Sequence, residues 1–464
     1  MDVSRFIENV YNFIWGIPLV TLILIVGIIY TIKLKGLQFC KLTKAISLLK
    51  RSNNKKDGEV SSFQALCISL SATIGTGNII GVGTALTLGG AGALVWMVIS
   101  AFLGMATKYA EGFLAIKFRK KEKDMIIGGP YAYIEYGMGK KYKWLAKSFA
   151  IFGMDAAIFG LGTFIQVNGI TDATLNLFDK STLNVINIFG YNISFCTIVS
   201  SLIITTVSGV VLLGGVKRIA SVCEKMVPFM AIMYILICSG LLLFNIKLLP
   251  GALSLIIKSA FKKQSLVGGV VGYTVVGAIK QGVSKGIFTN EAGLGSAPIA
   301  ISESNSNNPV EEGLIAMIST FLGTIIICTL TGLTIVVTNA YLEDLNSIYI
   351  IDYALFKGLP FSHFFTSIFI LVATICFGFT SIIGWNLYGV KCLNYLFNNN
   401  LKVQKIYQII YILFIFIGSY LEVKLIWNIA EIANGLMAIP NLIALISLKE
   451  IVKKDTNDYF KNKK

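Results

Sequence analysis

Histidine is nearly absent from this chain: His363 stands alone among 464 residues. A His-centred catalytic triad and a zinc ion held by several imidazoles therefore have no material to draw on. Eight cysteines, at 40, 67, 196, 223, 238, 328, 376 and 392, are scattered singly without a Cys-x-x-Cys pair. That spacing argues against a disulfide framework or a structural zinc site, and for small packing residues. Charge is scarce too, at 14% of residues where soluble domains carry about 25%. The acids are dispersed, so a membrane enzyme would lack a reaction centre, and the expectation is a protein that is not an enzyme.

What is abundant is apolar: 55% of residues are hydrophobic, with a mean hydropathy of +0.74. Continuous runs of roughly 20 residues recur along the chain and match a hydrocarbon core of about 30 Å. They do not alternate, which excludes a β-barrel. The expected fold class is an all-α polytopic membrane protein with about 11 spans. These fall near 13–32, 62–88, 91–116, 146–175, 191–213, 226–246, 264–300, 312–340, 361–390, 406–421 and 424–448. The seventh exceeds one crossing, so a break and a re-entrant or interfacial continuation are expected there. Asp2 and Glu8 before the first span, with Lys33 and Lys35 after it, do not read as a cleavable signal peptide.

The net charge of +16 sorts by loop rather than by patch. Alternate loops and the tail hold 31 of the 40 basic residues, including Lys33 to Lys56, Lys117 to Lys147, Lys217 to Lys225, Lys280, Lys285 and Lys449 to Lys464. The positive-inside rule makes that side cytoplasmic, with the N-terminus outside and the C-terminus inside the plasma membrane. The basic excess thus reads as topology, and no nucleic-acid partner is expected.

Residues 71–83 read Ser-Ala-Thr-Ile-Gly-Thr-Gly-Asn-Ile-Ile-Gly-Val-Gly inside the second span. Each glycine costs a helix interior about 1 kcal/mol relative to alanine. Non-helical backbone at membrane depth survives only where it lines a cavity. Thr76 and Asn78 within the run therefore point to a helix unwound at a binding site, although Gly77/Gly81 also has the spacing of a packing face. Spans 2–6 and 7–11 form two sets of five, an odd number that inverts one set relative to the other. Glycines 268, 269, 272 and 277 around Tyr273 and Thr274 give span 7 a matching break. Paired interruptions in two halves are the sequence mark of a secondary transporter's central site. The expected organisation is one transporter domain over 1–464. An extra span and basic loop occupy 1–61, the first repeat 62–246, the second 247–448, and a basic cytoplasmic tail 449–464.

Several segments are more specific. Ala72-Thr73-Ile74-Gly75-Thr76-Gly77-Asn78, Trp96-Met97, Gly104 through Glu111, Gly128-Gly129-Pro130, Lys285 through Pro298, Gly384-Trp385 and Tyr388-Gly389 occur in order between about residues 60 and 395. Together they resemble the alanine or glycine:cation symporter family. The resemblance implies a LeuT-type 5+5 inverted repeat with the first helix of each repeat broken. It also implies import of alanine or glycine with Na⁺ by alternating access; H⁺ coupling or another small zwitterion is the alternative. No organic cofactor is expected, the partners being the amino acid, Na⁺ and the lipid bilayer.

Backbone N–H groups over 74–78 at the start of a half-helix suit a substrate carboxylate. Gly75, Thr76, Gly77 and Asn78 are thus substrate candidates. The resemblance adds Gln166, places Tyr273 and Thr274 against the substrate side chain, and makes Trp385 the cap of a small pocket. By analogy with LeuT-type folds, the carbonyls of Ser71, Ile74 and Phe377 and the hydroxyls of Thr380 and Ser381 hold Na⁺. Asn290, Glu291, Gly293 and Gly295 form a gating motif in which Glu291 pairs with a base such as Lys285. Lys108 and Glu111 read as an interfacial ion pair, and Asp155 as the deepest carboxylate. Two positions depart from the family: Gly323 replaces an aspartate, and Val270 an aromatic.

Overall fold

The computed structural model describes residues 3–49, 58–122, 125–160, 162–179, 185–188, 191–262, 274–345, 348–421 and 423–462. Among them, ten helices are long and apolar enough to cross a membrane. Two short antiparallel hairpins, Lys120–Glu122 with Met125–Ile127 and Val185–Ile188 with Tyr191–Ser194, lie in connecting loops. The remaining expected crossing, the seventh, is represented among the described residues by Val275–Asn290, whose 16 residues fall short of a full span.

Burial sorts these helices into a centre and a rim. The apolar window of Ser62–Gly89 is 100% buried, whereas those of Gly215–Phe244 and Leu401–Gly418 are 28% and 22% buried. The rim helices expose Leu236, Phe229, Ile406 and Leu413, the surface that hydrocarbon covers. The glycine-rich helix is therefore the core of the molecule.

Local sequence sets where the central helices start. Ser61 and Gln64 form a reciprocal capping box, with the Gln64 N–H donating to Ser61 Oγ at 3.1 Å and the Ser61 N–H to Gln64 Oε1 at 3.0 Å. Ser362 caps His363–Leu396, and Asn308 with Pro309 opens the helix at 309. Lys33 pairs with Glu450, and Lys117 with Asp455 at 2.8 Å. The basic ends of the first and third expected spans therefore share one face with the end of the last helix.

Three expectations about extent change. Residues 449–461 are not a loose tail: the last helix runs Val423–Lys461, held by Tyr109 Oη and Thr456 Oγ1 at 2.7 Å and by Tyr459 Oη donating to Glu311 at 2.8 Å. The sixth span begins at Gly215, so Lys217, Arg218 and Lys225 lie in a helix after a two-residue turn. The fourth span is interrupted: Lys143–Phe159 stops at Gly160, and Phe164–Phe178 begins after it.

Candidate functional site

The run at 71–83 does not form one helix. Ser62–Thr73 ends at Ile74, whose φ of −95° and ψ of 86° are not helical, and Gly77–Gly89 starts three residues later. The freed groups find side chains from elsewhere, as buried backbone must. The Gly75 N–H donates to Asn78 Oδ1 at 3.1 Å. The Thr76 N–H and Oγ1 both donate to Gln166 Oε1 at 3.0 Å. Asn78 Nδ2 donates to the Gly323 carbonyl at 3.1 Å. That carbonyl belongs to a π-helical turn, Phe321–Cys328, a distortion common at functional sites. The N–H groups of Gly75 and Thr76, expected to stand open for a carboxylate, are thus held by two carboxamides.

Across the break stands His363–Leu396. Ser381 Oγ donates to the Ser71 carbonyl at 2.7 Å. Thr380 Oγ1 donates to the Cys376 and Phe377 carbonyls at 2.8 and 3.2 Å. Ser71, Ile74, Phe377, Thr380 and Ser381 are buried along this seam, which presents carbonyl and hydroxyl oxygens at the C-terminal end of a half-helix. That is the end where negative dipole and freed carbonyls favour a cation. Gly75 closes the geometry: a Cβ there would lie 2.6 Å from Ser381 Oγ and 2.9 Å from the Gln166 carboxamide.

Gln166 owes its position to the interruption in span 4. It sits in the first turn of Phe164–Phe178, after a bend where Tyr411 Oη donates to the Gly162 and Ile382 carbonyls at 3.1 and 2.7 Å. The signal in the sequence was Gly160-Leu161-Gly162-Thr163, a second small-residue cluster inside an apolar run.

The expected partner break at 268–274 falls mostly outside the described residues. Tyr273, Val270, Gly268, Gly269 and Gly272 lie outside the described residues. Thr274 is exposed, its hydroxyl capping Val275–Asn290 by accepting from the Gly277 N–H at 2.9 Å. This helix runs beside Gly77–Gly89 in reverse: Gly89 abuts Gly277, while Gly77 abuts Phe288. Thr274 is therefore about 20 Å of helical rise from the Gly77 end, and it does not line the break at 74–76. The chain instead departs from helix at Glu291, with positive φ of 52°, 86° and 83° at Glu291, Gly293 and Gly295, and turns helical again at Ala297–Ile301. The two glycines adopt conformations that side chains resist.

Glu111, read from the sequence as half of an interfacial pair, and Asn441, which the sequence did not single out, hold this second break. Glu111 Oε1 accepts from the N–H groups of Gly293 and Gly295 at 3.1 Å each and from Asn441 Nδ2 at 2.7 Å. Asn441 Nδ2 also donates to the Gly293 carbonyl at 2.9 Å. Asn290 Oδ1 accepts from the Ala292 N–H at 2.8 Å. Lys108 and Glu111 are both fully buried and not an interfacial pair, because the third helix turns that face onto the break. Glu291 accepts from Ser296 Oγ at 2.5 Å rather than pairing with Lys285. Lys285 binds Glu431 of the last helix at 2.5 Å, with its ammonium 4.8 Å from the Trp427 ring. Lys280 sits at the Gly89 end and Lys285 between it and Phe288, so neither lies on the basic face where the sequence placed them.

The aromatic cover differs as well. A Cβ on Gly77 would meet the Phe288 ring at 2.8 Å, and Phe288 packs on Trp427 at 4.9 Å between centroids. Trp385, expected as the cap, is buried one turn beyond Ser381, beside Gly162 and edge-on to Tyr388. At the far end the seam is latched. Arg119 donates to the carbonyls of Ser302, Ser304 and Ser306 at 2.9, 2.6 and 3.0 Å, and Lys391 pairs with Glu303 at 2.8 Å. Burial pushes the Glu303 carboxyl up from its ordinary range, and the Lys391 charge pulls it back. Asp155 is half-buried and has no ion-pair partner among the described residues.

Comparison with known proteins agrees with this architecture. The model of the sodium:alanine symporter family matches residues 1–464. The chain belongs to the sodium:alanine symporter family. It is 45% identical to an uncharacterized transporter of Haemophilus influenzae, over 100% of this chain and 98% of that one. It is 36% identical to the sodium/alanine symporter AgcS of Methanococcus maripaludis, over 99% and 98%. It is also 35% identical to the probable sodium/glutamine symporter GlnT of Bacillus subtilis, over 98% and 90%. Among solved structures, MhsT in complex with L-phenylalanine shares the fold with a TM-score of 0.57 at 14% identity, covering 86% of this chain and 90% of that one. A Na⁺-coupled sialic acid symporter does so at 0.52 and 15%, covering 84% and 81%. The fold is LeuT-type, the chain is a transporter rather than an enzyme, and its activity is Na⁺-coupled amino-acid symport.

Proposed function

We propose that this family member imports a small neutral amino acid, alanine or glycine, together with Na⁺ across the plasma membrane. The N-terminus is then outside and the C-terminus cytoplasmic, the orientation that places the basic face of Lys33, Lys117 and Lys453 inside. The reading is carried by one observation. The three-residue break at 74–76 touches Gln166 on one side and the Ser381 hydroxyl on the other, with no room for a Cβ at Gly75 between them.

The substrate carboxylate takes the position that Gln166 Oε1 holds over Thr76, at the positive end of the second half-helix. The Gln166 carboxamide then turns to the substrate. Asn78 and Gly77 complete the floor, and Phe288 backed by Trp427 limits the side chain to about a methyl group. Na⁺ binds at the opposite dipole, to the carbonyls of Ser71, Ile74 and Phe377 and the hydroxyls of Thr380 and Ser381. One broken helix contributes to both ligands, so each organises the other's site, and that is the coupling. Glu111 and Asn441 steady the break at 291–296, the pivot of the gating motif. The test is uptake of labelled alanine, glycine and glutamine by proteoliposomes under a Na⁺ gradient, with a proton gradient as the other arm. Alanine or glycine uptake driven by Na⁺ supports the reading; uptake driven equally by the proton gradient alone, or glutamine preferred, overturns it.

A further inference from the structure

A second polar feature lies away from the transport seam, on the face that carries the basic loops. A cavity of about 1110 Å³ opens between the start of Lys143–Phe159, the end of His363–Leu396 and the hairpin strand Lys120–Glu122. Lys120, Lys140, Lys143 and Lys147 line it, against the carboxylates of Glu122 and Glu135. All four lysines are exposed. Glu135 is already spent: it is buried, accepts from Tyr395 Oη at 2.5 Å, and pairs with Lys143 at 3.2 Å. Lys120 lies 3.7 Å over the Tyr136 ring. Lys140 and Lys147 have no ion-pair partner among the described residues, so the cavity keeps a positive surplus that is not internally compensated.

Its setting is the rim of the bilayer. On the same helix, Trp144 and Ile151 are exposed at 65% and 44%, flanking Lys147 by three and four residues and so sharing its face. Leu401 at 67% and Ile409 at 59% are exposed on Leu401–Gly418, the helix that begins just after the cavity residues Asn398 and Asn399. A free ammonium suits an anionic headgroup, the aromatic ring beside it the interface, and the exposed aliphatic side chain the acyl region. Basic pockets between membrane helices on the cytoplasmic side take anionic lipid headgroups.

We propose that this cavity binds the phosphate of an anionic phospholipid headgroup, with Lys140 and Lys147 as the principal contacts, Lys120 supporting them, and the acyl chains along Ile151 and Leu401. The site is independent of the transport reading, since none of these residues touches the break at 74–76 or the one at 291–296.

The test uses the full-length protein, delipidated in detergent and titrated with cardiolipin, phosphatidylcholine or inorganic phosphate while bound adducts are counted by native mass spectrometry. The expected result is cardiolipin retention at least tenfold above phosphatidylcholine, lost in Lys140→Gln/Lys147→Gln and kept in Lys121→Gln, an exposed lysine outside the cavity. Thermal melting of each variant confirms that it is folded. Equal retention of the two lipids, or full cardiolipin retention by the folded double variant, overturns the proposal. Displacement of cardiolipin by millimolar inorganic phosphate would identify a soluble phosphate as the ligand and overturn it as well.

Discussion

The glycines of the 71–83 run look alike in the sequence and should behave differently when a methyl group is added. Gly75 does not occupy the left-handed region, so alanine there is penalised by space alone. Its Cβ would come within 2.6 Å of Ser381 Oγ and 2.9 Å of both Gln166 amide atoms. Overpacking of a tight interior costs about 1–3 kcal/mol. At about 1.4 kcal/mol per factor of ten, Gly75→Ala should weaken apparent Na⁺ or substrate affinity by roughly 5- to 150-fold. The methyl wedges apart the two contacts that define both sites. Gly81 is the internal control: the nearest atom to its Cβ is Trp427 Cη2 at 4.0 Å, and Gly81→Ala gains helix propensity of up to about 1 kcal/mol. Initial rates of Na⁺-driven alanine uptake, measured against both ligand concentrations in proteoliposomes, compare the two. Normal constants in Gly75→Ala, or an equal defect in Gly81→Ala, would refute the geometry.

Gln166→Ala removes the acceptor shared by Thr76 N–H and Oγ1 and should raise the substrate half-saturation constant by about two- to ten-fold, in line with the roughly 0.5–1.5 kcal/mol of such bonds; titration of uptake against alanine checks it. Lys285→Met strands the buried Glu431 carboxylate and should cost about 3–5 kcal/mol of stability, most of it regained in Lys285→Met/Glu431→Leu, as read by thermal melting in detergent. Gly323→Asp should fold, because a Cβ there meets Ile74 at an ordinary 3.4 Å, and it should lower the Na⁺ half-saturation constant by placing a carboxylate beside Asn78 and the break; an unchanged Na⁺ titration counts against that placement.

The first break was legible because its signal is energetic: four glycines with Thr76 and Asn78 in thirteen membrane-depth residues weaken a continuous helix. The seam between Ser71 and Ser381 joins positions 310 apart, and only the family resemblance suggested it. The break at 291–296 was read only as part of a gating motif, because glycine number drew attention to 268–277. The working turn uses only Gly293 and Gly295, at positive φ, plus a carboxylate 182 residues earlier. Depth was also hard to see: Lys108 and Glu111 have the charge and spacing of a surface pair, and only tertiary packing buries them. Phe288 and Trp427 were indistinguishable from other membrane aromatics until the reversed packing of Val275–Asn290 set one of them on Gly77.

The most direct measurement is alanine binding to the purified full-length protein as Na⁺ is titrated, for the native chain and for Ser381→Ala. If one broken helix serves both ligands, Na⁺ tightens alanine binding, alanine tightens Na⁺ binding by the same factor, and Ser381→Ala shifts the Na⁺ midpoint upward by about three- to ten-fold. Alanine binding that is indifferent to Na⁺, or a Na⁺ midpoint unmoved in a folded Ser381→Ala, would contradict it.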